Sequence, residues 1–108
     1  MIKGNDKTIK MNKIQNKEYI QTLHPLKEKT NKKILLYKYE TIKAHLITIL
    51  SHSEPTHTEL MEALYNQLKD NFEGGIQWYG ETVKLDLEAR EIIERFGKKP
   101  ERYRLKNN

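Results

Sequence analysis

A chain of 108 residues is long enough for one domain with a modest core and too short for two. It contains no cysteine, which excludes a disulfide framework, a thiolate zinc site and a cysteine nucleophile. With a net charge of +5 and no apolar run near the roughly 20 residues that span a bilayer, the chain is expected to be a soluble, cytoplasmic protein without membrane contact.

The charge is segregated along the chain. Residues 1–38 carry a net charge of +7, residues 39–94 carry −7, and residues 95–108 carry +5. Two basic ends around an acidic middle suit contact with a polyanion through the ends. The alternative is a lysine-rich surface that is merely solvated.

The first 18 residues predict a flexible basic arm. They alternate lysine and asparagine with isolated apolar residues and show no sustained period. Either Met1 or Met11 is compatible with a native start. The folded domain is therefore expected over residues 19–108.

Two short runs with strand character follow the arm, Tyr19–Leu23 and Ile34–Tyr37. A proline and a polar loop separate them, which predicts a short β-hairpin or strand ahead of the helices. From Tyr39 onward the apolar residues recur at three- and four-residue steps. This period predicts a first helix that ends near Ser51.

Capping and turn residues mark the next two helices. Thr56 and Glu59 fit a capping box, which predicts a second helix that runs to about Lys69. The pair Gly74-Gly75 predicts a turn. A third helix is expected from Gln77 to about Arg90.

The third helix is expected to be central, because two of its arcs are apolar and only one is polar throughout. Its first aromatic residues, Trp78 and Tyr79, are therefore expected in the core. The polar arc consists of Glu81, Lys84, Glu88 and Glu91.

The C-terminal residues predict a β-hairpin. Ile92–Phe96 reads as a strand and Gly97–Pro100 as a turn, and Arg102–Lys106 alternates basic with apolar residues. Tyr103 should face the core. Three helices followed by a hairpin predict an α+β fold of the winged helix-turn-helix type, in which the hairpin is the wing.

The segment VKLDLEAREIIERFGKKPERYRLK, from Val83 to Lys106, resembles the end of the recognition helix and the wing of bacterial winged helix-turn-helix regulators. Those proteins commonly carry glycine at the end of this helix, where the present chain has Glu91. The departure predicts a less regular corner between the helix and the strand.

Residues 20–106 are also similar to a small bacterial, winged-helix-like family of unknown function. That resemblance implies the fold and assigns no activity. The matching motifs are His24-Pro25, Tyr39-Glu40-x-Ile42-Lys43, Leu46 to Leu50, Thr58-Glu59-Leu60, Trp78-Tyr79 and Val83-x-Leu85-Asp86-Leu87-Glu88-Ala89-Arg90.

Basic residues of the wing and of the third helix are the candidate nucleic-acid-binding residues, because they can contact phosphates. The alternative is that these cations only keep an edge hairpin soluble. The candidates are Gln77, Lys84, Arg95, Lys98, Lys99, Arg102, Arg104 and Lys106.

DNA binding is the leading hypothesis for function, in a transcription-related role. Glu81, Glu88 and Glu91 would repel phosphates, so a backbone-dominated and weakly specific contact is expected. The rival hypothesis is a protein-interaction module that uses this acidic third-helix face. A continuous positive surface that joins wing and helix would favour DNA, and a separate negative face would favour protein. A homodimer through the first helix or the N-terminal hairpin also stays open.

Catalytic and metal-binding motifs are not expected. His45, His52 and His57 lie close in sequence, but nothing makes them converge on one ion. The chain shows no Ser-His-Asp set, phosphate-cradling glycine loop or paired carboxylates. The sequence therefore predicts a protein that is not an enzyme and that needs no cofactor.

Overall fold

The computed structural model describes residues 18–106 of the chain, so the predicted basic arm lies outside the described residues except for Glu18. The described part is a small α+β fold, with three helices and two antiparallel strand pairs, and this class was expected. In chain order the elements are β1 (Tyr19–Gln21), β2 (Lys33–Leu35), α1 (Leu36–Leu50), α2 (His57–Leu68), α3 (Ile76–Ala89), β3 (Ile93–Phe96) and β4 (Arg102–Leu105). Within residues 18–106, no helix is long and apolar enough to cross a membrane.

The predicted N-terminal hairpin is confirmed, since β1 and β2 pair antiparallel with Tyr19 opposite Leu35. The expected boundary between strand and helix was wrong by one helical turn. The second strand ends at Leu35, and the Leu36 N–H donates to the Glu18 carbonyl at 2.7 Å as α1 begins. Leu36 and Tyr39 both pack on the core three residues apart, a spacing that only a helix provides.

The core lies where the three helices meet. Ile42 and Leu46 of α1, Leu64 of α2 and Leu87 of α3 are all completely buried. The helices α2 and α3 approach closely at Gly80, where an added Cβ would lie 2.7 Å from the Leu64 Cδ2 atom. A larger residue at this position would have to displace the Leu64 and Met61 side chains of α2.

The start of α2 is held by the predicted capping box. The Thr56 hydroxyl accepts from the Glu59 N–H at 3.2 Å, and the Glu59 carboxylate accepts from the Thr56 N–H at 2.9 Å. The same short segment forms a β-bridge between Thr56 and Arg102, and the Tyr103 N–H donates to the Pro55 carbonyl at 2.9 Å. The connection between α1 and α2 therefore contacts the outer edge of β4 through a single bridge.

The end of α3 is closed by a residue that is not glycine. Glu91 has a φ of 63°, in the left-handed region, and the next N–H, of Ile92, donates to the Leu87 carbonyl at 2.9 Å. Glycine adopts this conformation without the steric cost that a side chain incurs. The chain thus makes the turn from α3 to β3 at Glu91, a position where the regulators that it resembles commonly carry glycine.

Trp78 does not lie in the core, where it was expected. Its side chain is 49% exposed. Its neighbour Tyr79 is half-buried, because the turn before α3 covers it and its ring packs on Phe72 at 5.3 Å. Tyr103, in contrast, is buried as predicted.

Candidate functional site

Arg95 is committed to an internal ion pair. Its guanidinium donates to both carboxylate oxygens of Glu88, at 2.9 and 3.1 Å, and contacts Glu101 at 3.3 Å. The hydrogen bond to Glu88 raises the pKa of Arg95 above its ordinary value. The Glu88 side chain is only 8% exposed, so this bidentate contact joins α3 to β3, and it offsets the charge of Arg95, whose side chain is 41% exposed.

Three more of the predicted phosphate contacts also have carboxylate partners. The pairs are Arg104 with Glu94 at 2.8 Å, Lys106 with Glu91 at 3.2 Å and Arg102 with Glu59 at 3.5 Å. They are partly exposed, so each contributes little to stability. Their main effect is electrostatic, because each carboxylate cancels a positive charge that the sequence alone assigned to the surface.

Lys98 and Lys99 differ from the other cations of this hairpin. Both lie exposed on the tight turn between β3 and β4, where Gly97 and Lys99 have positive φ angles of 78° and 50°. Within residues 18–106 neither forms an ion pair. Gln77 is likewise exposed, on the first turn of α3. These three candidates remain accessible.

Lys84 is the clearest correction to the predicted site, since it is buried and only 2% exposed. Its ammonium donates to the Tyr103 hydroxyl at 3.0 Å and lies 3.6 Å from Glu81 and 3.7 Å from Glu88. The arc of α3 that was expected to be solvated faces the C-terminal hairpin instead. Lys84 therefore cannot contact a phosphate.

The predicted acidic face of α3 is also divided. Glu88 is sequestered by Arg95, and Glu91 lies beyond the helix end, so Glu81 is the one of the three that stays exposed on the helix. His57 lies 3.6 Å from Glu81. Its pKa is lowered, first by burial and then by the positive charge of Lys84.

The histidines are dispersed in the structure. His45 on α1 pairs with Gln67 of α2, whereas His57 packs edge-on against Tyr103. Across residues 18–106, no group of three or more potential metal ligands converges.

The solvent-facing side of α3 is mixed, because Gln77, Trp78 and Glu81 are exposed and Leu85 is half-buried. Trp78, Glu81 and Leu85 are spaced by three and four residues and so share one side of the helix. Leu26 is 48% exposed, and it borders with Leu85 a cleft of about 340 Å³ that His24, Pro25 and the Glu88–Arg95 pair also line. The four residues Leu26, Trp78, Glu81 and Leu85 are called the third-helix face below.

A buried carboxylate holds the loop after β1 against α3, and sequence reasoning missed it. Asp86 is completely buried and accepts hydrogen bonds from the Leu23 N–H, the Tyr39 hydroxyl and the Arg90 guanidinium. These contacts raise the pKa of Arg90, and burial together with the bond to Asp86 raises the pKa of Tyr39. The sequence signal for this buried carboxylate was an aspartate between Leu85 and Leu87 in an apolar arc of the helix.

The C-terminal hairpin and the exposed side of α3 differ in the charges that they present to solvent. In the described residues, carboxylates offset most cations of β3 and β4, and the exposed side of α3 carries Glu81 without a surface cation.

Comparison with known proteins places the chain in a family but assigns no activity. Searches of curated proteins and of solved structures returned no match. A family model matches residues 19–103, more than three quarters of the chain. The chain therefore belongs to the family described as a family of unknown function, DUF6958.

Proposed function

We propose that this chain is a winged-helix domain that binds another protein through its third-helix face. The proposed fold is supported by the order of the elements, with a hairpin after three helices. It is further supported by the isolated bridge from Thr56 to Arg102, which places the segment before α2 at the edge of that hairpin.

The observation that carries the proposed function is the exposure of Trp78. Trp78 is 49% exposed on α3 and Leu26 is 48% exposed at the cleft that Leu85 borders, so two large apolar side chains face water, which solvates them poorly. Tryptophan is also among the residues that contribute most to binding at protein interfaces. Leu85 adds a third apolar side chain, in the cleft that it shares with Leu26.

The chemistry of the third-helix face favours a partner protein that presents an apolar side chain next to a lysine or arginine. The cleft beside Leu85 can take an apolar side chain. The Glu81 carboxylate, with a side chain 48% exposed, and the open Trp78 ring can both attract a lysine or arginine. The expected partner is therefore a basic protein segment with an apolar anchor.

Peptide selection tests this function directly. Peptides are selected from a random displayed library on the full chain, with counter-selection against the double variant Trp78→Ala/Glu81→Lys. We expect enrichment of sequences that pair an apolar residue with lysine or arginine. Because Trp78 is the single tryptophan, binding of a selected peptide should also shift its fluorescence to shorter wavelength.

The matched control is Tyr65→Ala, which removes a 47% exposed aromatic ring from α2. It should leave peptide affinity within about twofold, whereas Trp78→Ala should lower it by about tenfold or more. Failure to select any peptide that depends on Trp78, or an equal loss with both variants, would rule the function out.

Nucleic-acid binding at the wing is the second candidate, favoured by the exposure of Lys98 and Lys99. Binding of a labelled DNA duplex would be measured by anisotropy over a range of salt concentrations. Removing two phosphate contacts by Lys98→Glu/Lys99→Glu should reduce the salt slope by about 2. The matched control, Lys43→Glu on α1, should leave that slope unchanged.

A further inference from the structure

The loop between β1 and β2 carries the densest group of exposed cations in the described chain. Lys27, Lys29, Lys32 and Lys33 lie within seven residues and are all exposed. Within residues 18–106 none of them forms an ion pair, in contrast to the arginines of the C-terminal hairpin. These four residues are called the basic loop below.

Hydrogen bonds within the loop and to α3 hold its backbone in place. The Asn31 amide group donates to the Leu23 carbonyl at 2.8 Å and to the Thr82 carbonyl of α3 at 3.0 Å. The Leu23 N–H donates to the buried Asp86 carboxylate at 2.8 Å. The lysines are therefore presented from a fixed backbone, which lowers the entropy lost when a ligand binds.

An exposed aromatic ring lies next to the basic loop. Tyr19 is 58% exposed, and the Lys33 ammonium lies 5.7 Å from the centre of its ring. In the strand register Gln21 is opposite Lys33 and Tyr19 is opposite Leu35, so Tyr19 and Lys33 share the outer face of the hairpin. Ring and cations thus form one surface.

We infer that this hairpin surface binds single-stranded nucleic acid, with a base stacked on Tyr19 and the backbone phosphates on the basic loop. Stacking on an aromatic ring needs an unpaired base, which a duplex does not offer. A groove of about 770 Å³ continues the surface past Lys27, Lys29 and Asn31, where ammonium and amide groups can follow the strand, and its far side ends at Glu91, which pairs with Lys106. The surface adjoins the third-helix face, since Lys27 directly follows Leu26, but it carries lysines where that face carries Glu81.

The test is a fluorescence anisotropy titration of the full chain with a labelled oligothymidylate of about 20 nucleotides at low salt. Residues 1–17, which carry five further lysines, are present in every variant, so differences report on the hairpin. Lys27→Glu/Lys29→Glu should weaken binding by about tenfold or more and reduce the salt slope by about 1.4. Tyr19→Ala should weaken binding by about fivefold or more, the loss of one stacked base.

Two matched controls make the loss specific to this surface. Lys43→Glu/Lys69→Glu makes the same change of charge on α1 and at the end of α2, away from both hairpins, and Tyr65→Ala removes a comparably exposed ring. Both should stay within about twofold of the unaltered protein. All substituted side chains are at least partly exposed, and circular dichroism would check that each variant is folded.

Three results would overturn the inference. They are no binding at low salt, an equal loss with the control variants, and equal competition by a DNA duplex or by polyphosphate. Amide chemical shifts give a second measurement on the unaltered protein. The shifts induced by the oligonucleotide should fall on residues 19–35, and shifts confined to residues 95–104 would contradict the assignment.

Discussion

The Lys84 ammonium donates a hydrogen bond to the Tyr103 hydroxyl, 3.0 Å away, inside the contact between α3 and β4. Both side chains are almost fully buried, and the ammonium also lies 4.3 Å from the centre of the Tyr103 ring. The sequence pattern places Lys84 on a DNA-binding surface, but in the structure its side chain connects the C-terminal hairpin to the third helix. Glu81 and Glu88 balance its charge.

Replacement of Lys84 should therefore lower stability. Lys84→Met keeps most of the aliphatic side chain but leaves the Tyr103 hydroxyl without its donor, so we expect a loss of about 1–3 kcal/mol in the free energy of unfolding. Urea denaturation measures it, with the exposed Lys69→Met as control. In the double variant with Tyr103→Phe, the two effects should be less than additive. Full additivity would show that the hydrogen bond contributes nothing.

Glu91 offers a route to higher stability. Its φ of 63° is strained for any side chain, so Glu91→Gly should raise the free energy of unfolding by about 0.5–1 kcal/mol. Glu91→Ala is the control, because it also removes the exposed contact with Lys106 but keeps a Cβ. The expected order of stability is Gly above Glu, with Ala no higher than Glu. Equal stability of the Gly and Ala variants would contradict the argument from backbone strain.

The buried Asp86 should be among the least replaceable polar residues. Asp86→Ala leaves the Leu23 N–H, the Tyr39 hydroxyl and the Arg90 guanidinium without their shared acceptor, and we expect a loss of about 3–5 kcal/mol. The exposed Asp70→Ala is the control.

Hydrogen exchange provides an independent readout of the same contact. The Leu23 amide should lose protection even in the milder variant Asp86→Asn. Unchanged exchange at Leu23 would show that the loop is held against α3 by other contacts.

His57 should make stability depend on pH near neutrality. Its pKa is lowered in the folded state by burial and by Lys84, so between the folded and unfolded pKa values the unfolded chain binds more protons. Stability should therefore be complete above the unfolded value of about 6.5 and should fall as the pH drops below it.

Replacement of the histidine isolates this effect. Urea titrations between about pH 7.5 and 5.5 avoid most carboxylate titration, and His57→Gln should flatten the dependence there. The exposed His52→Gln should not. A pH dependence that persists unchanged in His57→Gln would assign it to another group.

Local patterns in the sequence were sufficient for most of the secondary structure and for part of the core. Features that depend on residues a few positions apart can be predicted from the sequence alone. They include the Thr56–Glu59 capping box, the period of the helices, the turn before Pro100 and the inward orientation of Tyr103. The start of α1 was misplaced because strand and helix patterns overlap in the short run around Leu36.

The accessible surface was decided only by tertiary structure. The hairpin folds back on α3 and the loop after β1 is held to α3 by Asp86, so Lys84 is buried and Trp78 is left exposed. Helical periodicity can show that α3 has several packed sides, but it cannot show which distant segment covers each side. Nor can helical periodicity show that Glu88 neutralises the charge of Arg95, which lies seven residues later in the chain. Those outcomes depend on long-range packing, whose energy is absent from any local pattern.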